Sequence, residues 1–417
     1  MRLTKTFSKT TKNIPADEKA KNAQLLIRAG YIHKEMAGVY SFLPLGLKVL
    51  ENIKKIVRDE MNNLGFEEII MTSLQPKEIW EKTDRWDDDK VDIWFKSKLK
   101  NGTEIGLGWS HEEQIISMLK DYVSSYRDLP IGVYQFQNKL RNEIRSKSGI
   151  LRCREFLMKD LYSYSIDETE HDRIYKSVSD AYINIFDKLE IGHITYLTFA
   201  SGGSFTQFSH EFQTVIDAGE DIIYVDEDKK IAINQEVYSD EIINQLGLNK
   251  EKLKKHKAAE AANIFSFGKA KTDAFNLMYT NDKGKETSVF MGSYGIGITR
   301  LMGILVEYFS DEKGIIWPEI IAPAKIIIIR IGDNPDVLKL ADKLYEKIES
   351  EKISVIYDDR NIRPGEKFSD ADLIGIPARV IVSDKTVESK VFEYKTRTSN
   401  EISYMTEAEL VAKLTKK

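Results

Sequence analysis

The stretch NKLRNEIRSKSGILRCREFLMKD, residues 138–160, sets seven Lys or Arg against three acids in a chain whose formal net charge is −5. Strand periodicity places Leu140 on the face opposite Arg141 and Glu143, and Phe156 opposite Glu155, so cations and an aromatic ring share a surface across a hairpin turning at SKSG, 146–149. Such a surface suits a nucleotide. Arginine forks bind phosphate oxygens bidentately, a ring stacks on a base, and a carboxylate accepts from an exocyclic amine. A charged hairpin with solvated faces is the other reading, and this stretch alone leaves both open.

A second candidate is FMGSYGIGITRLMGILVEYF, 290–309, where a strand leads into Gly292, Gly295 and Gly297 and then into a helical apolar stripe of Ile298, Leu301, Met302, Leu305, Val306 and Phe309. Glycines admit close backbone approach and a helix N-terminus favours an anion. The order G-x-x-G-x-G is not the dinucleotide fingerprint, and no Lys-Ser/Thr pair follows as a P-loop requires. Arg300 in the first helical turn opposes the helix dipole, which a phosphate partner would explain. Tight helix-on-sheet packing also accounts for the glycines.

In GLGWSHEEQI, 106–115, the pair Ser110 and Glu112 has the groups to grip a substrate ammonium by one neutral and one charged hydrogen bond; a helix N-cap with acids in the first turn fits equally well. GGSFTQFSHEFQ, 202–213, carries His210 and Glu211. With six scattered histidines and no H-E-x-x-H, a zinc site is not expected, and Glu211 is the one candidate metal neighbour.

The elements that must position these residues follow from periodicity. Leu47, Leu50, Ile53, Val57, Met61 and Leu64 step by three and four, predicting a helix that Gly65 ends, followed by a strand at FEEIIMTSL. Further strands are expected at 104–109, 131–143, 154–165, 221–225 and 287–292, with a helix over 169–189. Strands in succession with irregular helices predict an α+β antiparallel sheet, not a doubly wound one. Residues 236–262 are highly charged and poor in large apolar residues, which reads as a surface helix or linker. Beyond Pro318 and Pro323 the pattern becomes strand–helix–strand, a small α/β domain.

Length, 417 residues, favours two domains. The near balance of 61 basic and 66 acidic residues excludes a general polyanion-coating role, so any nucleic-acid contact is local. Cys153 is the only cysteine, which excludes an internal disulfide framework and fits a reducing compartment. No apolar core follows the basic N-terminus and no run of about 18 apolar residues occurs. A cytoplasmic location without membrane association is expected.

The segments RAGYIHKEMAGVYSFLPLG, LRCREFLMKD, MGSYGIGITR, GIIWPEIIAP and DDRNIRPGEKFSDADLIGIP occur in an order that resembles the class II aminoacyl-tRNA synthetases, most closely the prolyl branch of the bacterial type. The resemblance implies a catalytic domain over 1–322, with motif 1 at about 46–75, motif 2 at about 134–160 and motif 3 at about 287–309, and an anticodon-binding domain over 323–417. It implies ATP-dependent activation of proline to prolyl-adenylate and transfer to tRNA(Pro), with ATP and Mg²⁺, in a homodimer. By the same likeness Arg141 and Arg300 are the catalytic cations. Arg141, Glu143, Arg152, Phe156, Gly295, Gly297 and Arg300 would bind ATP; Ser110, Glu112, Arg141, His210 and Ser293 would bind proline; Asp359, Arg360, Arg363 and Lys367 would read the anticodon.

Four positions depart from the family pattern: Ser110 where it has Thr, Trp109 where bacterial relatives carry Pro, Thr72 at the motif 1 proline, and Ser293 where many relatives have Cys. A larger departure is that the editing insertion of many bacterial relatives is replaced by the charged 236–262 segment. No hydrolysis of alanyl-tRNA(Pro) in cis is therefore expected, and either a separate deacylase clears that error or the host tolerates it. Two rivals are kept: a synthetase for threonine, glycine or histidine, and a non-catalytic tRNA-binding paralogue.

Overall fold

The computed structural model describes residues 1–14, 16–144, 148–202 and 208–415. The chain forms two compact units: Met36–Val39 with Lys54–Ile304, and Met1–Glu35 with Tyr40–Ile53 and Leu305–Lys417.

The larger unit is built on a nine-stranded sheet. Its strands are β1 (Glu67–Glu68), β2 (Ile131–Leu140), β3 (Glu155–Ser165), β4 (Thr195–Ser201), β5 (Phe208–Val215), β6 (Asp221–Asp226), β7 (Ile231–Asn234), β8 (Lys254–Gly268) and β9 (Phe290–Gly297). The order is β5-β4-β7-β6-β8-β9-β3-β2-β1, with β5 also paired to β8. Pairing is antiparallel apart from β1–β2 and β4–β7, which agrees with the α+β expectation. Helix α1 is Pro44–Asn63, α2 Glu112–Leu119, α3 Glu168–Lys188, α4 Ala270–Ala274 and α5 Ile298–Tyr308.

Helix α3 fixes which face of the sheet is core. Asp167 caps it, accepting from the Glu170 amide at 2.8 Å, and Ile174, Val178, Ala181, Tyr182, Ile185 and Phe186 repeat at helical spacing on its buried side. Tyr182 and Phe186 pack on Phe212 of β5, and Lys159 of β3 reaches the Tyr182 hydroxyl. Because strand side chains alternate, Met158, Asp160 and Tyr162 of β3 point to the other face, where a cavity opens.

Residues 236–262 are not a surface helix or linker. Asp240–Gln245 is the one α-helical segment there, flanked by single 3-10 turns at Gln235–Val237 and Lys250–Lys252, and from Lys254 the chain runs as β8, fifteen residues long, between β6 and β9 and against β5. The charged KKHK segment occupies the start of that strand, while Ala258, Ala259, Ala261 and Ala262 are buried in it. Alanine has weak strand preference, so the segment looked unlike a strand; its small side chain instead leaves room beneath the cavity that Ala261 and Ala262 line. The expected 287–292 strand divides: Glu286–Ser288 pairs with Met278–Thr280 in a separate two-stranded sheet, and β9 runs from Phe290 through the glycines to Gly297. The 146–149 turn overlaps Ser146 and Lys147, which lie outside the described residues.

The second unit carries a five-stranded sheet: β10 (Ile326–Arg330), β11 (Val355–Asp358), β12 (Ala378–Val382), β13 (Phe392–Thr396) and β14 (Ser403–Met405), in the order β11-β10-β12-β13-β14. The β10 pairs are parallel, as the strand–helix alternation required. Helix α6 (Pro335–Ser350), capped by Asn334 with Pro335 in its first turn, buries Val337, Ala341, Leu344 and Ile348 on this sheet, and α7 (Pro364–Ile374) ends at Gly375 with φ of +80°.

Candidate active site

Two adjoining cavities open on the sheet face away from α3. One is lined by Arg141, Glu143, Arg152, Phe156, Gly295, Gly297 and Arg300, every residue expected at the nucleotide, together with Glu260 and Asn263 of β8. Arg141 leaves β2 with its backbone amide on the Arg154 carbonyl at 2.8 Å, and its guanidinium lies 5.2 Å over the Phe156 ring. Glu143 accepts from Arg152 Nε at 3.1 Å, and Arg152 Nη1 also donates to Glu220 at 2.9 Å. Arg300, at the start of α5, donates to the Leu151 carbonyl at 2.8 Å and the Glu260 carbonyl at 2.7 Å, with the Glu260 carboxylate at 3.2 Å. Those carbonyls, not a dipole mismatch, fix its direction. A Cβ at Gly295 would meet the Met158 methyl and the Asn263 Oδ1, side-chain ends that would have to move for β9 to carry a larger residue beneath the cavity.

The second cavity, of about 450 Å³, is lined by Ser110, Glu112 and Ser293, with Trp109, Phe265 and Phe267 as apolar walls. Glu112 opens α2. Ser110 Oγ donates to its Oε2, and Ser293 Oγ stands 3.5 Å from its Oε1. Burial opposes ionisation of this carboxyl, but Lys271 and Arg85, with the Ser110 hydroxyl, outweigh it and hold its pKa well below the usual range. Arg141 lines both cavities. Thr72 accepts on its hydroxyl from Gln114 at 3.0 Å, and its carbonyl lies 3.1 Å from His111 Nε2.

Beneath the second cavity lies a charged network that the sequence reading missed. Lys139 is buried between Asp160 Oδ1 at 2.8 Å and His111 Nδ1 at 2.6 Å, and Asp160 Oδ2 accepts from Gln135 and the Tyr162 hydroxyl, each at 2.8 Å. Burial and the Lys139 ammonium push His111 down to about 4, so its imidazole is neutral; with Nδ1 accepting from Lys139, Nε2 carries the proton and donates to Thr72. Strand parity was the available signal: Asp160 is two residues on from Met158, and Lys139 two before Arg141. Glu260, a lone acid among alanines in AAEAAN, was another.

His210 does not line either cavity. Its Nδ1 lies 2.7 Å from the hydroxyl of Tyr175 on α3, while its strand neighbours Ser209 and Glu211 face the second cavity. Glu211 accepts from Gln213 at 2.8 Å and Asn234 at 3.2 Å; burial, then the Glu260 carboxylate, push it up to about 8. Among the described residues no three His, Cys, Asp or Glu side chains converge as an ion shell.

In the C-terminal unit, three of the four anticodon candidates are held within the fold. Asp359 accepts from the Thr4 amide and hydroxyl at 2.9 and 2.6 Å. Arg360 forks onto Asp358 at 2.8 and 2.7 Å and reaches Asp370 at 2.9 Å. Lys367 is buried, donating to the Arg330 and Asp358 carbonyls. Arg363 is exposed at the start of α7.

Residues 94–309 match the tRNA synthetase class II core domain (G, H, P, S and T), and residues 325–417 match an anticodon binding domain. The class is thus a class II tRNA synthetase. The proline--tRNA ligases of Wolbachia sp. subsp. Drosophila simulans (strain wRi) and Rickettsia rickettsii (strain Sheila Smith) are 37% and 35% identical, the first over 97% of both chains, the second over 96% of this chain and 97% of the relative. Among solved structures, the prolyl-tRNA synthetase of Cryptosporidium parvum with halofuginone and AMPPNP superposes with a TM-score of 0.78 at 17% identity, covering 94% of this chain and 75% of that one. The same synthetase with L-proline and AMP gives 0.75, again at 17% identity, over 94% and 73%. This chain belongs to the proline–tRNA ligase family.

Proposed function

We propose that this chain activates proline with ATP to prolyl-adenylate and pyrophosphate, then transfers the prolyl group to the terminal ribose of tRNA(Pro). The observation that supports this most directly is that Arg141 lines both cavities. One cavity suits a nucleotide, the other a small cyclic amino acid held at its imino group, and a cation at their junction meets both reacting partners.

In the first step a proline carboxylate oxygen attacks the α-phosphorus, the bond to the β-phosphate oxygen breaks, and pyrophosphate leaves. Phe156 supplies a face for adenine and Glu143 an acceptor for its amino group, while Arg152 and Arg300 meet the outer phosphates. Arg141 draws the carboxylate and the α-phosphate together and offsets the charge that builds between them. No side chain has to form a covalent bond. In the second step a ribose hydroxyl attacks the prolyl carbonyl and AMP departs.

Mg²⁺ screens phosphate charge in such a reaction. The residues here fit an ion carried in by the nucleotide: Glu211 and Glu260 are neighbouring acids whose mutual repulsion a cation would relieve, and an ion keeping phosphate and water ligands needs only one or two carboxylates. On the amino-acid side Ser110 and Glu112 bind the imino group and Ser293 narrows the pocket; His210 supports β5 through Tyr175. We assign residues 1–322 to catalysis and 323–417 to the anticodon, and read the working form as a cytoplasmic homodimer. No helix among the described residues is long and apolar enough to cross a membrane. The chain continues from motif 2 to motif 3 through β4–β8, without a separate editing module, so clearance of alanyl-tRNA(Pro) falls to another deacylase or is not done.

The test is ATP–pyrophosphate exchange with proline and alanine side by side. Proline-dependent exchange lost in Arg141→Ala is expected; no exchange with either amino acid, in folded protein, would move the tRNA-binding paralogue ahead.

A further inference from the structure

Four of the five tryptophans stand together beside the second cavity. Trp80, Trp94 and Trp109 are buried with Trp86 against them, ring centroids 5.0 to 5.7 Å apart. Arg85 lies against this cluster, its guanidinium carbon 4.4 Å from the Trp109 ring centre and 5.2 Å from that of Trp80, and its own carbonyl accepts from Trp94 Nε1 at 2.8 Å. A planar guanidinium stacked on indole faces has little freedom left. From there Nη1 reaches Glu113 at 2.7 and 2.9 Å and Glu112 at 3.4 Å. Lys271 of α4 closes the group with 2.8 Å to Glu113.

We propose that Arg85, held in place by Trp80 and Trp109, is a positioning residue for amino-acid selection: it keeps Glu112 charged and aimed at the substrate's imino group. This deepens the assignment of the second cavity to proline and rests on it. Glu112 and Glu113 carry two negative charges, and Arg85 with Lys271 two positive; Lys139 and Arg141 are the other cations lining the cavity. Without Arg85, two buried acids share one lysine, and one carboxyl must take a proton at higher pH. A protonated Glu112 offers the prolinium N–H groups a weaker acceptor. The Trp109 departure has a structural role in this account, because a proline at that position has no ring face for the guanidinium.

The experiment measures the pH dependence of kcat/KM for proline, with the KM for ATP, in wild type, Glu112→Gln, Arg85→Gln and Arg85→Lys. Arg85→Gln is expected to raise the proline KM about tenfold or more, leave the ATP KM within twofold, and move the acidic limb of kcat/KM to higher pH. Arg85→Lys, which cannot stack and reach both acids, is expected to raise the proline KM several-fold and restore most of the acidic limb. A folded Arg85→Gln protein with an unmoved limb and a proline KM within twofold of wild type overturns the proposal. Should Arg85→Gln not fold, a folded Arg85→Lys with unchanged proline KM overturns it equally. If Glu112→Gln itself leaves the proline KM unchanged, the assignment of the cavity has failed, and Arg85 with it.

Discussion

Arg141 and Arg300 line one cavity, and burial together with the Arg300 charge holds the Arg141 guanidinium below its ordinary range. A like charge in the same buried recess disfavours the charged state of Arg141, and a polyanion bound there reverses the penalty. Arg300 is steadied by two backbone carbonyls and Glu260, whereas among the described residues the Arg141 side chain donates only to the Trp109 carbonyl, at 3.3 Å. Arg141 is therefore the less neutralised of the two cations.

On the role proposed for Arg141, Arg141→Ala removes charge that is useful mainly while the carboxylate and α-phosphate approach. Proline-dependent exchange is expected to fall by about 10²–10³-fold, the range for losing one preorganised donor. Initial rates at saturating ATP and proline check this, with unchanged thermal melting as the control for folding.

His111 supplies a pH prediction. Its folded pKa is about 4 against an ordinary 6.5, so the folded state resists its protonation. As pH falls from above 6.5 the unfolded chain takes up that proton first, and stability drops until about pH 4, by about 3 kcal/mol for this group alone. His111→Gln keeps a donor and an acceptor without the titration. Denaturant midpoints taken across pH 4–7 should show a shallower loss in the variant.

Proline exceeds alanine by two ring carbons, and each apolar group missing from a pocket is worth about 1–3 kcal/mol. The chain is accordingly expected to activate alanine measurably and to leave preformed alanyl-tRNA(Pro) intact. Deacylation assays with the purified chain decide the point: hydrolysis well above the spontaneous rate would show an editing centre within these residues.

In the C-terminal unit, exposure sets Arg363 apart from the three candidates held within the fold. Arg363→Ala is expected to lower kcat/KM for tRNA about tenfold without touching exchange, since exchange needs no tRNA. Lys367→Ala removes the ammonium that donates to the Arg330 and Asp358 carbonyls in the interior and is expected to destabilise the fold by about 1–3 kcal/mol. Aminoacylation kinetics and denaturant titration read the two effects separately.

What the sequence made legible was whatever repeats along one element. The α3 stripe, the parallel C-terminal strands and the joint placement of Arg141, Glu143, Arg152, Phe156 and Arg300 all follow from periodicity or from family order. Parity was harder: His210, Glu211 and Ser209 are consecutive, and only the pairing of β5 with β4 and β8 decides that the first faces Tyr175 and the others the cavity. Strand β8 was missed because its residues are small where the cavity needs room. Arg85 gave no signal, since its partners Trp109, Glu112 and Glu113 come from a segment some twenty-five residues away that only the fold brings against it.

The tryptophan arrangement has an optical consequence. Trp317 lies outside this cluster, so four of the five tryptophans, and with them most of the indole absorption of this chain, are gathered in one patch beside the second cavity. Indoles spaced 5.0 to 5.7 Å apart exchange excitation and behave as a coupled chromophore. Trp109, at the cavity wall, is the member exposed to occupancy. The molecule thereby carries a built-in reporter, and titration with unlabelled amino acids can be followed by its own fluorescence and near-ultraviolet circular dichroism, one candidate substrate at a time.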